Sequence, residues 1–245
     1  MKLLAFETAT EACSVAVFID GRVLERFEIA PRRHAELALP WAEALLAEAG
    51  VARAQLDAIA VGQGPGAFTG VRLAIALAQG IALALDRPVV ALSTLAVLSM
   101  RADAAPGTPV LAAIDARMGE VYSQAFVHEA DGPRTLGPAR VGAPDAVELP
   151  GDAPGWSGVG TGFSAVDAAL QAHLGDRFAR IDAQALPRAG DLARLAAAAF
   201  ARGEAVAPER VEPAYLRDNV ALTLVEQTAL RAARRAAEPD APGAV

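Results

Sequence analysis

Hydrophobic and polar positions alternate along the first thirty residues in the manner of β-strands. Apolar runs at 2–7 and 13–19 are separated by a short polar turn, and Asp20-Gly21 precedes a third run at 22–29. Because Asp-Gly is a strong hairpin signal and a period of two is typical of strands, this pattern predicts a three-stranded meander. The apolar spacing then changes to that of a helix over 34–49, which ends at a glycine.

The most apolar stretch is a predicted helix at 70–85, whose only polar side chains are Arg72 and Gln79. A lone surface helix carries a polar face, so something must cover this one. Every fourth residue from 76 to 84 is alanine or glycine, which lets another backbone pack closely along this helix. This helix and 34–49 could both be interior, but a small sheet rarely buries two such helices, so we prefer a helix–helix partner surface.

The second half of the chain repeats the opening plan. A buried run that ends near Asp115, a short turn and a returning run at 120–127 match the run that ends at Glu7 and the returning run at 13–19. Such a pseudo-repeat predicts an α/β protein of two related lobes, each a mixed sheet flanked by helices. Chance similarity between two hairpins is the alternative.

The loop-like composition after residue 103 places the domain boundary there. We expect a first lobe at 1–104 and a second, reduced lobe at 105–217, in which a Ser164–Asp167 capping box opens a helix. A last helix at about 218–237 is expected to pack back on the first lobe, and 238–245 to be a flexible tail.

Composition narrows the class of protein. The chain has 245 residues, 53% of them hydrophobic, and a net charge of −7, which argues against a nucleic-acid-binding surface of its own. The single Cys13 excludes a disulfide framework and is read as a small buried hydrophobe in a reducing cytoplasm. No apolar run reaches the ~20 residues that a membrane span needs. We therefore expect a cytoplasmic globular protein without a membrane segment.

Acids at the tips of two equivalent hairpins resemble the arrangement of the actin, hexokinase and Hsp70 class, called ASKHA, in which such turns grip the phosphates of a nucleotide. The candidate nucleotide-binding residues are Glu7, Thr8, Thr10 and Asp115. Neither turn has the small glycines that a phosphate grip needs, and Met118 in the second turn offers phosphate nothing. We favour the interpretation that both acids only cap their turns; the alternative is a vestigial nucleotide site.

Other catalytic patterns are missing from the sequence. The three histidines are far apart and form no paired metal-ligand motif, so no metal site is predicted. The segment 64–66 reads Gly-Pro-Gly and lacks the Gly-Lys-Ser/Thr ending of a P-loop. It is either an anion-binding loop or a tight turn that aims Phe68 and the helix, and we favour the turn.

The order and spacing of five motifs are similar to those of the bacterial TsaB (YeaZ) family over residues 3 to about 217. The motifs are FETATEACSVA at 6–16, HAEL at 34–37, GPGAFTGVR at 64–72, DARMGEVY at 115–122 and PAYLR at 213–217. The resemblance implies an ASKHA fold and a role in making threonylcarbamoyladenosine beside the anticodon of tRNA. It covers nearly the whole chain and is specific.

The resemblance also implies the partners. In that pathway the paralogue TsaD is the metal-bearing transferase, TsaB is a non-catalytic scaffold that pairs with it through its first two helices, and the ATPase TsaE joins them. We therefore expect a heterodimer with a TsaD-like protein, a homodimer when the chain is alone, and tRNA contact only through the complex. The expected interface residues are His34, Leu37, Trp41, Leu45, Phe68, Arg72, Ala76, Gly80 and Ala84.

One departure from the family bears on the nucleotide site. The family usually carries Asp where this chain has Glu7, and the longer acid weakens any nucleotide grip that the fold implies. No cofactor of its own is therefore expected, and ATP or ADP would bind only at a composite interface with partners. The competing hypothesis is an ATP-binding ASKHA enzyme that acts alone, such as a kinase or a carbamoyltransferase-like protein. The label glycoprotease, sometimes given to such chains, is not supported by the histidine pattern.

Overall fold

The computed structural model describes residues 1–217, which form two β-sheets with helices packed on them. The strands of the first sheet are β1 (Lys2–Glu7), β2 (Ala12–Ile19), β3 (Arg22–Ile29), β4 (Ala58–Gly62) and β5 (Val89–Leu92). Their order is β3-β2-β1-β4-β5. The first three strands pair antiparallel, whereas β4 is parallel to both β1 and β5. The predicted meander is confirmed.

The second sheet repeats this topology. Its strands are β6 (Pro109–Arg117), β7 (Glu120–Glu129), β8 (Gly132–Thr135), β9 (Arg140–Gly142), β10 (Trp156–Val159) and β11 (Phe178–Asp182). The order β8-β7-β6-β10-β11 has two antiparallel pairs followed by two parallel pairs, as in the first sheet, and β9 adds a further antiparallel pair with β7. Because five strands correspond one to one, the pseudo-repeat is confirmed and the chance alternative is wrong.

The described residues contain five α-helices. They are α1 (His34–Ala49), α2 (Phe68–Leu85), α3 (Thr94–Ser99), α4 (Ala165–Leu174) and α5 (Ala189–Ala201). Strand β1 shows how they cover the first sheet, because alternate side chains of a strand point to opposite faces. Leu4 and Phe6 lie in the core beneath α1 and α2, whereas Leu3 and Ala5 lie in a second core beneath α5. Both faces of the first sheet are therefore covered.

Two helices join the lobes. The side chains of Leu95 and Leu98 on α3 lie in the core of the second lobe together with Val110. Helix α5 falls in the part of the sequence assigned to the second lobe, 105–217, yet its buried alanines pack on the first sheet. Small side chains let α5 approach that sheet closely. Helix α5 therefore packs on the first lobe, and the predicted boundary near residue 104 stays a prediction.

Two other predictions concern the second half. The Ser164–Asp167 capping box is wrong: the Ser164 hydroxyl donates to the carbonyl of Thr161, and Asp167 has a left-handed backbone rather than a helical one. The helix at 218–237 and the tail at 238–245 lie outside the described residues.

Candidate functional site

The carboxylate of Glu7 is buried between the first turn and α3. Its Oε1 accepts the backbone N–H of Ala9 at 2.9 Å, and the Thr94 hydroxyl donates to Oε2 at 3.3 Å. A Cβ on Gly62 would overlap Oε2, so glycine at this position leaves the space for the acid. Burial raises the pKa of Glu7 from 4.5 to about 7, because desolvation penalises the charged form.

The glycine-rich loop that precedes α2 packs backbone to backbone on the same turn. A Cβ on Gly66 would overlap the carbonyl of Ala9, and one on Gly70 would overlap the carbonyl of Thr8. Two hydrogen bonds of 2.7 Å close this contact, from the Thr8 hydroxyl to the Gly70 carbonyl and from the Ala67 N–H to the Ala9 carbonyl. These glycines therefore permit close packing, which supports the tight-turn interpretation over the anion-binding loop.

The second turn copies the first at the level of single hydrogen bonds. Asp115 Oδ1 accepts the backbone N–H of Arg117 at 2.7 Å, just as Glu7 accepts that of Ala9 two residues on. Asp115 Oδ2 also pairs with the Arg117 guanidinium at 2.7 Å. Arg117 and Met118 are left-handed, and the Met118 side chain is 85% exposed at the tip. Both acids thus cap their turns; a nucleotide held by Glu7, Thr8, Thr10 and Asp115 stays a prediction.

Helix α2 buries one face and exposes the other. Its buried positions include Val71, Ala74 and Ala78, which pack in the first core. The predicted interface positions all lie on the exposed face, namely Phe68, Arg72, Ala76, Gly80 and Ala84. By its 18 residues and mean hydropathy of 1.7 this helix is apolar enough to cross a membrane, but one third of it is buried, and that third packs on the sheet of its own lobe.

Helix α1 differs from the prediction in which side chains face the core. Leu45 is only 1% exposed and belongs to the first core with Ala38 and Ala42, so its assignment to the interface is wrong. Leu37 and Trp41 are half-buried against that core and keep an accessible part. The residues of α1 that face the core are Ala38, Ala42, Leu45 and Leu46.

Each of the three histidines makes a structural hydrogen bond. The Nε2–H of His34 lies 2.9 and 3.2 Å from the carbonyls of Thr10 and Ala12, which ties the start of α1 to the first turn. His128 and His173 contact main-chain carbonyls elsewhere, at 2.9 and 3.2 Å. His34 therefore positions α1, in addition to any contact with a partner.

The thiol of Cys13 is buried, and burial raises its pKa to about 11, which is unfavourable for a nucleophile.

The sequence does not predict a role for Tyr215, which completes the exposed surface beside α2. The Nε–H of Arg72 donates to the Tyr215 hydroxyl at 2.7 Å, and the Arg72 guanidinium lies 3.7 Å from the centre of the Phe68 ring. The rings of Phe68 and Tyr215 stack with centroids 6.4 Å apart. Only the PAYLR motif at 213–217 signals this residue, and a motif by itself names no contact.

Two sheets of the same topology, each with a capping acid at its first turn, define a two-lobe protein of the ASKHA class. Comparison with known proteins identifies the family. Residues 27–224 match the family described as "TsaD: tRNA N6-adenosine threonylcarbamoyltransferase". The chain is 42% identical over 229 residues to the tRNA threonylcarbamoyladenosine biosynthesis protein TsaB of Escherichia coli, covering 90% of this chain and 96% of that protein. The chain belongs to the TsaB (YeaZ) family.

Solved structures agree with this assignment. The structure of YeaZ from Pseudomonas aeruginosa is 47% identical, with a TM-score of 0.80, and the match covers 88% of this chain and 99% of that one. A second Pseudomonas aeruginosa structure, described as an uncharacterized protein with similarity to peptidase YeaZ, is 48% identical with a TM-score of 0.81. The family and the two-lobe fold expected from the motifs are therefore confirmed.

Proposed function

We propose that this protein takes part in forming threonylcarbamoyladenosine in tRNA, as a non-catalytic subunit that pairs with a TsaD-like transferase. The proposal is supported by the names of its relatives, which are called tRNA threonylcarbamoyladenosine biosynthesis proteins. It is also supported by the match to the TsaD family over most of the chain, since a paralogue of the same fold is the partner expected from the family. In this proposal the protein acts in the cytoplasm.

The observation that carries the proposal is the exposed face of α2. Phe68 and Leu83 are 55% and 62% exposed at the two ends of the helix, and the alanines and glycine between them leave the backbone accessible. A Cβ added at Gly80 would meet nothing within 4 Å. Large exposed apolar side chains around a strip of small residues suit the close approach of a second helix.

The proposed non-catalytic role is based on the hydrogen bonds that the polar side chains of the two turns make. The carboxylates of Glu7 and Asp115 both accept a main-chain N–H of their own turn, and the Thr8 hydroxyl is bonded to the carbonyl of Gly70. These hydrogen bonds give each of the three groups a structural role within its own lobe, as expected of a vestigial site. ATP or ADP would bind only where partners complete the site, a TsaE-like ATPase would join the pair, and tRNA would be reached through the complex.

The test is a reconstitution with the purified chain, the TsaD-like and TsaE-like proteins of the same organism, ATP, an activated threonylcarbamoyl donor and unmodified tRNA. The modified nucleoside is measured by mass spectrometry after digestion of the tRNA. We expect modification only when this chain is present with its partners, and none from the chain alone. ATP hydrolysis or peptide cleavage by the isolated chain, lost on Glu7→Ala or Asp115→Ala, would show instead an enzyme that acts alone.

A further inference from the structure

The segment 206–217 runs from the edge of the first sheet across α2. Val206 forms a β-bridge with Val89 on the edge strand β5, with hydrogen bonds of 2.8 and 2.9 Å. Further on, the Gln79 side chain donates to the carbonyls of Pro208 and Val211 at 3.0 and 3.2 Å. Gln79 is one of the two polar side chains between residues 70 and 85 of α2, so these bonds account for its presence in an apolar helix.

The same segment ends on the second lobe. The N–H of Ala214 donates to the carbonyl of Gln63 in the first lobe at 2.8 Å. Three residues later the Arg217 guanidinium pairs with the carboxylate of Glu120 and donates to the carbonyl of Ala116 at 3.3 Å, both at the turn between β6 and β7. Tyr215 lies between these two anchors and contacts Arg72 on α2.

The Arg217–Glu120 ion pair is better placed than an ordinary surface pair. The two side chains are 19% and 36% exposed, and the guanidinium makes an additional hydrogen bond to a carbonyl. Partial burial and several hydrogen bonds both strengthen such a pair relative to one in open solvent. The pair also attaches the lobes at a place separate from α3, whose leucines insert into the second core.

We propose that residues 206–217 form a strap that sets the arrangement of the two lobes and holds Tyr215 in the partner surface. This inference rests on the proposed pairing with a TsaD-like protein. The partner then contacts the exposed face of α2 extended by the rings of Phe68 and Tyr215. Arg217 and Glu120 act as positioning residues: they do not touch the partner, but binding depends on their ion pair through Tyr215.

The first experiment measures the arrangement of the lobes in the free protein. Spin labels are placed on the full chain at the exposed positions Ala54→Cys in the first lobe and Ala172→Cys in the second. The labelled protein is diluted into an excess of unlabelled protein, so that only distances within one chain are measured. The native Cys13 is buried and does not compete for the label. Pulsed electron resonance gives the distance distribution, which we expect to be narrow in this background and broad when Arg217→Ala is added. An unchanged distribution would overturn the strap.

The second experiment is a double-mutant cycle, in which calorimetry measures the affinity of each variant for the TsaD-like paralogue. We expect Arg217→Ala and Glu120→Ala each to weaken binding, Arg217→Ala by about tenfold, and the double variant to bind no worse than Arg217→Ala alone. Two residues that act through one ion pair lose the same binding affinity whether one or both of them are replaced. Independent, additive losses, or a loss confined to Arg217→Ala, would overturn the positioning role.

The variant Tyr215→Phe distinguishes the contribution of the aromatic ring to binding from that of the hydroxyl. This variant keeps the stacking on Phe68 and loses only the hydrogen bond from Arg72, so we expect binding to weaken by about threefold while the distance distribution is unchanged. A broadened distribution in Tyr215→Phe would contradict the assignment of the anchor to Arg217. If the parent protein does not bind the paralogue, the proposed function fails, and the spin-label distances still decide whether the strap exists.

Discussion

Glu7 and Asp115 occupy equivalent positions in the two sheets, and each accepts the backbone N–H of the residue two positions on, at 2.9 and 2.7 Å. Their surroundings differ. Glu7 is fully buried against Gly62, whereas Asp115 is partly exposed and pairs with Arg117. One position of the repeat therefore carries a buried acid whose pKa is raised to about 7, and the other carries an ion pair near the surface.

We predict that Glu7→Gln stabilises the protein above neutral pH. The folded pKa of Glu7, about 7, lies above the unfolded value of 4.5, so the folded protein holds this proton more tightly. Stability from this group therefore falls as the pH rises from 4.5 to 7 and stays low above that. The neutral amide avoids the cost, which is on the order of 3 kcal/mol for a shift of this size. Urea unfolding of both proteins near pH 8 measures the difference.

The control for this prediction is the pH dependence itself. Below the unfolded pKa both states of the parent carry the proton, so the advantage of Glu7→Gln should disappear near pH 4. An advantage of the same size at both pH values would mean that the amide stabilises the fold by packing or hydrogen bonding alone. A less stable variant near pH 8 would show that the charge of Glu7 is favourable in the folded protein.

We predict opposite effects for alanine at two glycines of α2. At Gly70 a Cβ would overlap the carbonyl of Thr8, so Gly70→Ala should destabilise the protein by about 3 kcal/mol. At Gly80 the space is open and the backbone is helical, so Gly80→Ala should stabilise it by about 1 kcal/mol. Chemical denaturation measures both. Equal effects would contradict the assignment of Gly70 to the close contact.

We predict that Gly80→Arg prevents pairing with the TsaD-like partner while leaving the lobe folded. The side chain would project from the exposed face of α2, where it meets no atom of its own chain, and would place a charge in a helix–helix contact. Loss of the complex on gel filtration and loss of tRNA modification are the expected results. Ala172→Arg, on the exposed side of α4, is the matched control and should pair normally.

Thermal unfolding decides how a failure of Gly80→Arg is interpreted. A variant that melts like the parent but still pairs and supports modification would exclude this face of α2 from the interface. A variant that does not fold would instead show that this face is needed for the core, contrary to its exposure here.

We predict that the protein alone self-associates at micromolar concentration through the exposed faces of α1 and α2. Leu39 on α1 and Phe68 and Leu83 on α2 would otherwise face water. Analytical ultracentrifugation should show a dimer for the parent and a monomer for Gly80→Arg. A parent that stays monomeric throughout this concentration range would contradict the prediction.

Local pattern was sufficient to predict several elements of the fold, but the helix start at Ser164–Asp167 was wrong. The meander of the first sheet, both long helices of the first lobe and the repeat in the second half follow from spacing of two or 3.6 residues and from turn residues such as Asp20-Gly21. The capping role of Glu7 and Asp115 was one of two alternatives, because the sequence shows the chemistry of an acid near the end of a strand but not its hydrogen-bond partner.

The face that each helix buries was not determined by local pattern. In α1 several apolar stripes are available, and the one that packs includes Leu45, because the sheet beneath presents side chains that fit that face. In α5 small residues pack on the first sheet although the helix follows the second lobe in the chain. Both outcomes depend on the surface that the helix meets, which lies far away in the sequence.

The sequence by itself therefore determined the class of fold, its internal repeat and its family, since these depend on periodicity and on motifs of neighbouring residues. The tertiary structure alone decided the contacts that residues 206–217 make with the two lobes. Tyr215 meets Arg72 across 143 positions of the chain, and Arg217 meets Glu120 across 97. The periodicity of the sequence does not predict such pairs, because they form only after distant parts of the chain have packed together.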